Sequence, residues 1–141
     1  VLHSVLRIGK KGATVDNQAS GGISCGINEK TGSLNNFAID KYGTKYYKSN
    51  KILFSGLTVP KYGQMKEIAA EIAYSFPYHR LLGFDFALDK NERIRLIEVN
   101  NRNNEMNFYQ MNNGSLFGGF TLEIMEYCKR RTRTFKIDFE I

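Results

Sequence analysis

Gly83-Phe84-Asp85-Phe86 and Leu96-Ile97-Glu98-Val99-Asn100 flank the polar run Asp89-Lys90-Asn91-Glu92, an order that commits this part of the chain to a β-hairpin. Side chains alternate along a strand. In the first stretch Leu82, Phe84, Phe86 and Leu88 form the apolar stripe, which leaves Asp85 off it. In the second, Glu98 and Asn100 fall on one face and Ile97 and Val99 on the other. The turn then sets Asp85 opposite or diagonal to Glu98, with Cβ atoms about 5 to 8 Å apart. Two like charges that close are destabilising unless one is protonated or a cation sits between them. Magnesium takes hard oxygen ligands, few of them from protein, and completes its shell with water and phosphate. Asp85, Glu98 and Asn100 supply such oxygens. The plainer alternative is an ordinary hairpin with a solvated acidic face.

A chain of 141 residues is one domain's worth, long enough to bury most of a sizeable core. Its hydrophobic content of 42% and aromatic content of 13% describe a folded protein rather than a disordered tail. No apolar run approaches the roughly 18 residues needed to cross a membrane, and no signal peptide precedes the first strand. A soluble, cytoplasmic protein is the expectation. Cys25 and Cys128 lack any paired spacing, so neither a disulfide framework nor a zinc motif is expected, and both read as buried thiols.

The net charge of +6 favours anionic partners. Basic clusters occur at Lys10-Lys11 and from Lys129 to Arg133. The second follows a predicted helix, where cations meet the carboxyl end of the helix dipole. That structural reason accounts for most of the cluster and argues against nucleic acid as the partner.

Strands are expected over residues 1–8, 23–28 and 33–39. The first starts without a leader or initiating methionine, as in a piece of a longer protein. Residues 42–56 give no clear pattern. A helix follows Pro60, with Ile68/Ile72 and Ala69/Ala73 as its i, i+4 stripe, and ends near Ser75. Residues 101–113, rich in Asn, read as a long surface loop. A second helix runs from Ser115 to about Arg130. Phe135, Ile137, Phe139 and Ile141 alternate as a last strand. The expected class is α+β: one domain with a mainly antiparallel sheet and two helices on one face.

Two further features are weaker when taken singly. Asn17-Gln18-Ala19-Ser20-Gly21-Gly22 contains adjacent glycines, whose backbone can approach a phosphate closely, though Ser-Gly-Gly also suits an ordinary turn. Arg7 lies between Leu6 and Ile8 on a strand, facing away from them. It is either a surface arginine or a guanidinium turned into a cleft to grip phosphate.

In order, the chain offers an arginine on a strand, an Asn-x-x-x-Gly-Gly loop, a helix, Asp85 and then Glu98-Val99-Asn100. That sequence of features resembles the carboxy-terminal part of the ATP-grasp superfamily. Glu98-Val99-Asn100 with Asp85 looks like the magnesium ligands of D-alanine ligases and glutamate-adding ligases. Leu6-Arg7-Ile8-Gly9, Val15-Asp16-Asn17, Gly21-Gly22-Ile23 and Thr31-Gly32 resemble the sugar-transfer-associated branch, linked to cell-surface polysaccharide assembly.

The resemblance implies ATP and magnesium as cofactors, and a small carboxylate or sugar-linked substrate. Its reaction would phosphorylate a carboxylate and let an amine attack the acyl phosphate. Asp85, Glu98 and Asn100 would hold magnesium, Arg7 would stabilise the phosphoryl or acyl-phosphate oxygen, and Asn17, Ser20, Gly21 and Gly22 would cover substrate and phosphate. Arg102 is a weaker candidate for the acceptor.

The chain departs from the family in lacking the upstream lobe with its ATP-holding lysines. It also carries Gly83 where D-alanine ligases carry a catalytic arginine. Two other readings stay open: a nonenzymatic nucleic-acid-binding module using Tyr42, Tyr46, Tyr47 and Tyr109 as stacking platforms, and an ATP-grasp scaffold that has lost its chemistry.

Overall fold

A computed structural model describes residues 1–12, 21–102 and 104–131. Strand pairing among them is antiparallel throughout. β1 (Ser4–Ile8), β2 (Ile23–Ile27), β3 (Leu34–Ile39) and β4 (Lys45–Tyr46) form one sheet in that order. β5 (Lys48–Ser49) pairs with β6 (Ile52–Leu53), and β7 (Gly83–Leu88) with β8 (Ile94–Asn100), as separate two-stranded ribbons. Three α-helices accompany them: α1 (Tyr62–Tyr74), α2 (Met106–Asn113) and α3 (Thr121–Arg131). The α+β class with antiparallel sheet is as expected, but among the described residues there are three sheets rather than one and three helices rather than two.

The core lies on one face of the four-stranded sheet. Leu6 pairs with Cys25, Ile8 with Ile23 and Cys25 with Ala38, and residues paired across a ladder share a face. Cys25 and Ala38 are fully buried, and Phe54 packs on them with Leu6, Ile8, Ile23 and Leu34 around it. Phe54 arrives there through the stretch whose pattern was unclear. Asn50 and Lys51, with φ of 48° and 69°, make the two-residue turn of the β5–β6 ribbon. Directly after β6, the Phe54 N–H donates to the Tyr47 carbonyl at 3.2 Å.

A bulge shapes the middle of the sheet. Cys25 pairs with Ala38 and Ile27 with Leu34, so Gly26 alone faces the three residues from Asn35 to Phe37. The Cys25 thiol reaches the carbonyls of Phe37 at 3.2 Å and Asn35 at 3.4 Å. Burial pushes that thiol up to about 11, outweighing the Asn35 hydrogen bond, so it stays protonated and able to donate. Cys128 departs from expectation. It is exposed on α3.

The opposite face carries Arg7, Ser24 and Gly26, and here α2 docks. The Asn-rich stretch expected as a loop is therefore partly helical, and its asparagines explain why. Asn112 is buried and donates to Ser24 Oγ at 2.8 Å, while Asn113 Nδ2 donates to the Ser4 carbonyl at 2.9 Å. Asn35 Nδ2 donates to the Asn112 carbonyl at 2.8 Å, which satisfies a carbonyl at the helix end. A Cβ on Gly26 would overlap the Asn113 and Asn35 amides and come within 2.9 Å of the Asn112 carbonyl, so only glycine lets the helix this close.

α1 keeps the predicted stripe, with Ala69 buried and Ile68, Ile72 and Ala73 half-buried. Its Tyr62 donates to Ser4 Oγ at 2.9 Å, on the face opposite Ser24. The helices thus do not gather on one face. A 3-10 turn at Gly118–Phe120 leads into α3, shortening the helix expected from Ser115. Lys129 and Arg130 fall in its last turn, at the carboxyl end of the helix dipole, and the rest of the predicted basic cluster, Thr132 and Arg133, lies outside the described residues. Among the described residues no helix is long and apolar enough to cross a membrane. The expected last strand, with Phe135 to Ile141, lies outside the described residues.

Candidate nucleotide and metal site

The predicted hairpin forms with the carboxylates in register. Asp85 is paired directly with Glu98, and Gly83 with Asn100, so Asp85, Glu98 and Asn100 share one face. Phe84 pairs with Val99 on the other, where the rings of Phe84 and Phe86 stack 6.2 Å apart. The strict alternation expected along β8 does not hold throughout. Phe86 pairs with Leu96, leaving Ile97 as an extra, bulged residue that is 66% exposed rather than packed beside Val99.

The turn is built by one side chain. Asp89 Oδ1 accepts the N–H groups of Asn91 at 2.8 Å and Arg93 at 3.0 Å, and Oδ2 accepts from the guanidinium groups of Arg93 and Arg95. The Arg93 backbone bond, with help from Arg95, Asn91 and the Arg93 side chain, outweighs desolvation and lowers the Asp89 carboxyl to about 2. A firmly closed turn is what holds the Asp85/Glu98 register, since slipping by one residue would turn Glu98 to the opposite face.

Arg7 does turn toward the carboxylates. Its Nη1 lies 3.3 Å from Asp85 Oδ2, with both side chains about one-third exposed. The positive charge beside the Asp85/Glu98 pair is therefore a guanidinium, which eases the repulsion that a dication would otherwise have to relieve. Among the described residues no three His, Cys, Asp or Glu side chains cluster as a metal site. The donor set is two carboxylates and one amide on a shared face, a hard oxygen set that fits a magnesium ion completing its shell with water and phosphate.

Sequence reasoning missed two neighbours. Tyr109, expected as an exposed stacking platform, is half-buried on α2. Burial first, then the charge of Asp85 and that of Glu105, raise its phenol, while Arg7 lowers it, so it sits in the field of the ion pair. The asparagines that dock α2 could have signalled this, because Asn112 binds Ser24, the cross-strand partner of Arg7. The second neighbour is Asn104. A Cβ on Gly83 would come within 2.5 Å of Asn104 Oδ1, so the space that an arginine at 83 would use is filled by this amide.

Of the glycine loop, Asn17 and Ser20 lie outside the described residues. Gly21, with φ of 87°, borders Lys10, and Gly22 is buried. Arg102 lines an open cleft with His79, Arg80, Asn101 and Asn104, where Asn101 hydrogen-bonds His79 at 3.1 Å.

The family model for sugar-transfer associated ATP-grasp proteins matches residues 1–123. The chain belongs to that family. No curated protein and no solved structure gives a significant match. As an ATP-grasp protein it has an ATP-dependent, ligase-like scaffold, and ATP-grasp proteins generally use ATP with magnesium. The match spans Arg7, Asp85, Glu98, Asn100 and the whole of α2.

Proposed function

We propose that these residues form the metal- and phosphate-binding half of an ATP-dependent carboxylate–amine ligase that works through an acyl phosphate, in cell-surface polysaccharide assembly. The observation that supports this reading is the convergence of Arg7 from one sheet upon Asp85, paired with Glu98, in another. In the proposed reaction a substrate carboxylate oxygen attacks the γ-phosphorus and ADP leaves. An amine then attacks the acyl carbon, phosphate departs, and the amine loses its proton.

Asp85, Glu98 and the Asn100 amide oxygen are the groups that would hold magnesium, which when bound neutralises phosphate charge. Arg7 would meet the transferred phosphoryl or acyl-phosphate oxygen, offering a planar fork of donors already held in place by Asp85. Tyr109 and Asn104 shape the site wall. Asn17, Ser20, Gly21 and Gly22 would cover the phosphate. The lysines and flap that hold the rest of ATP would come from an upstream lobe outside these 141 residues.

The test is ADP release by the longer parent chain with ATP, magnesium and a panel of carboxylic acids. Asp85→Asn and Glu98→Gln should each lower the rate by about 100-fold or more. Tyr74→Ala, at an exposed position on the far end of α1, should leave it unchanged. Turnover that survives both carboxylate changes would remove the hairpin from the chemistry.

A further inference from the structure

A second concavity lies on the other side of the four-stranded sheet. Its floor includes Ile8 and Ile23, which pair with each other and alternate with Arg7 and Ser24, so it opens on the face opposite the ion pair. The volume is about 320 Å³. That is near the lower end of small-ligand pockets, roughly 300 to 1,000 Å³.

Its charge is unbalanced. Among the described residues, Lys10, Lys11, Lys41 and Lys48 line it against a single carboxylate, Asp40. None of the four lysines makes an ion pair among the described residues. Asp40 is occupied otherwise: Oδ1 accepts the N–H groups of Tyr42 at 2.9 Å and Thr44 at 3.0 Å, and Oδ2 accepts the Tyr46 hydroxyl at 3.1 Å. The carboxylate therefore stiffens the β3–β4 turn and orients Tyr46 instead of neutralising the lysines. Four ammonium groups around one concavity repel one another and attract a multiply charged anion.

The lining also has a ring-sized apolar component. Tyr42 is 80% exposed and Tyr46 40% exposed, and both line the cleft with Ile8 and Ile23, the Lys41 ammonium lying 5.0 Å from the centre of the Tyr42 ring. Ser49 and Asn50 add neutral hydrogen-bonding groups at the rim. Lysines for a phosphate, aromatic faces for the C–H side of a ring, and amide and hydroxyl groups for its oxygens describe one class of ligand.

We propose that this cleft is a binding site for a phosphorylated monosaccharide, on the face of the sheet opposite the Arg7–Asp85 pair. A half-open cleft of this size suits a small molecule better than a nucleic-acid strand, which needs an extended groove. The site would let the protein hold a charged sugar without competing with ATP phosphates for Arg7.

The experiment is an amide NMR titration of the full chain with glucose 6-phosphate in the absence of magnesium. Amide shifts should concentrate at Lys10, Tyr42, Ser49 and Asn50 and saturate. Glucose should cause none, and inorganic phosphate should bind at least tenfold more weakly. Lys41→Glu with Lys48→Glu should weaken binding at least tenfold, whereas Asp85→Asn and the distant Lys129→Glu should not change it. Far-UV circular dichroism checks that the double variant folds, and Lys41→Gln with Lys48→Gln replaces it otherwise. Equal binding of glucose or of phosphate alone, shifts centred on Arg7, or preferential binding of an oligothymidylate would each overturn the proposal. Because the readout uses neither ATP nor turnover, it stands or falls apart from the ligase reading.

Discussion

The four-stranded sheet and the β7–β8 hairpin obey the same pairing rules and use their residues differently. Ser24, Cys25, Ile27, Ala38 and Ile39 are all buried in the sheet, and Phe54 and Asn112 close over its two faces. No residue of β7 or β8 is buried, and Leu96 and Ile97 are 42% and 66% exposed. The sheet is thus where burial stabilises the fold. The hairpin is held by its ladder and by Asp89, which leaves Asp85, Glu98 and Asn100 outside the buried core.

That contrast can be broken by a stability measurement. Phe54→Ala should destabilise the chain by about 3 to 5 kcal/mol. In the same denaturant titration Asp85→Asn should stay within about 1 kcal/mol of the parent, because losing a partly exposed ion pair is offset by removing the repulsion with Glu98. Comparable losses in the two variants would show that the hairpin shares the core.

A smaller effect tests the link between sheet and helix. Asn112→Ala removes a buried donor to Ser24 and should cost about 1 to 3 kcal/mol. It should also shift the Tyr109 ring signals, since α2 carries both residues. An unchanged Tyr109 would mean the helix is held by other groups.

The smallest effect sharpens the account of the hairpin. Asp89 has a carboxyl lowered from 3.8 to about 2, so its contribution is present above the unfolded value and is lost as the pH falls through the folded one. Unfolding curves taken from pH 5 down to pH 2 should show that loss in the parent chain. Asp89→Asn should remove this part of the slope.

The carboxylates were legible in the sequence because alternation assigns a face without knowledge of the partner strand, and Asp89 left little freedom of register. Arg7 was legible for the same reason, since Leu6 and Ile8 point it away from the core. The α1 stripe followed from its spacing. What escaped depends on contacts distant in sequence. Residues 101–113 have weak helical pattern, and Asn112 and Asn113 become helix anchors only once Ser24 and Gly26 are in place 88 and 87 residues earlier. The β5–β6 turn was hidden because Lys51 holds a positive φ that glycine more commonly supplies. The bulge at Ile97 left no mark in an otherwise regular alternation, and Asn104 could be matched to Gly83 only in three dimensions.

The sheet that carries Arg7 and the ribbon that carries Asp85 have no shared ladder, and at the site they meet through a charged pair of side chains. Sliding one against the other would break no backbone rung. The long, partly solvated side chains of that pair give the contact slack, while each element keeps its own hydrogen-bonded frame.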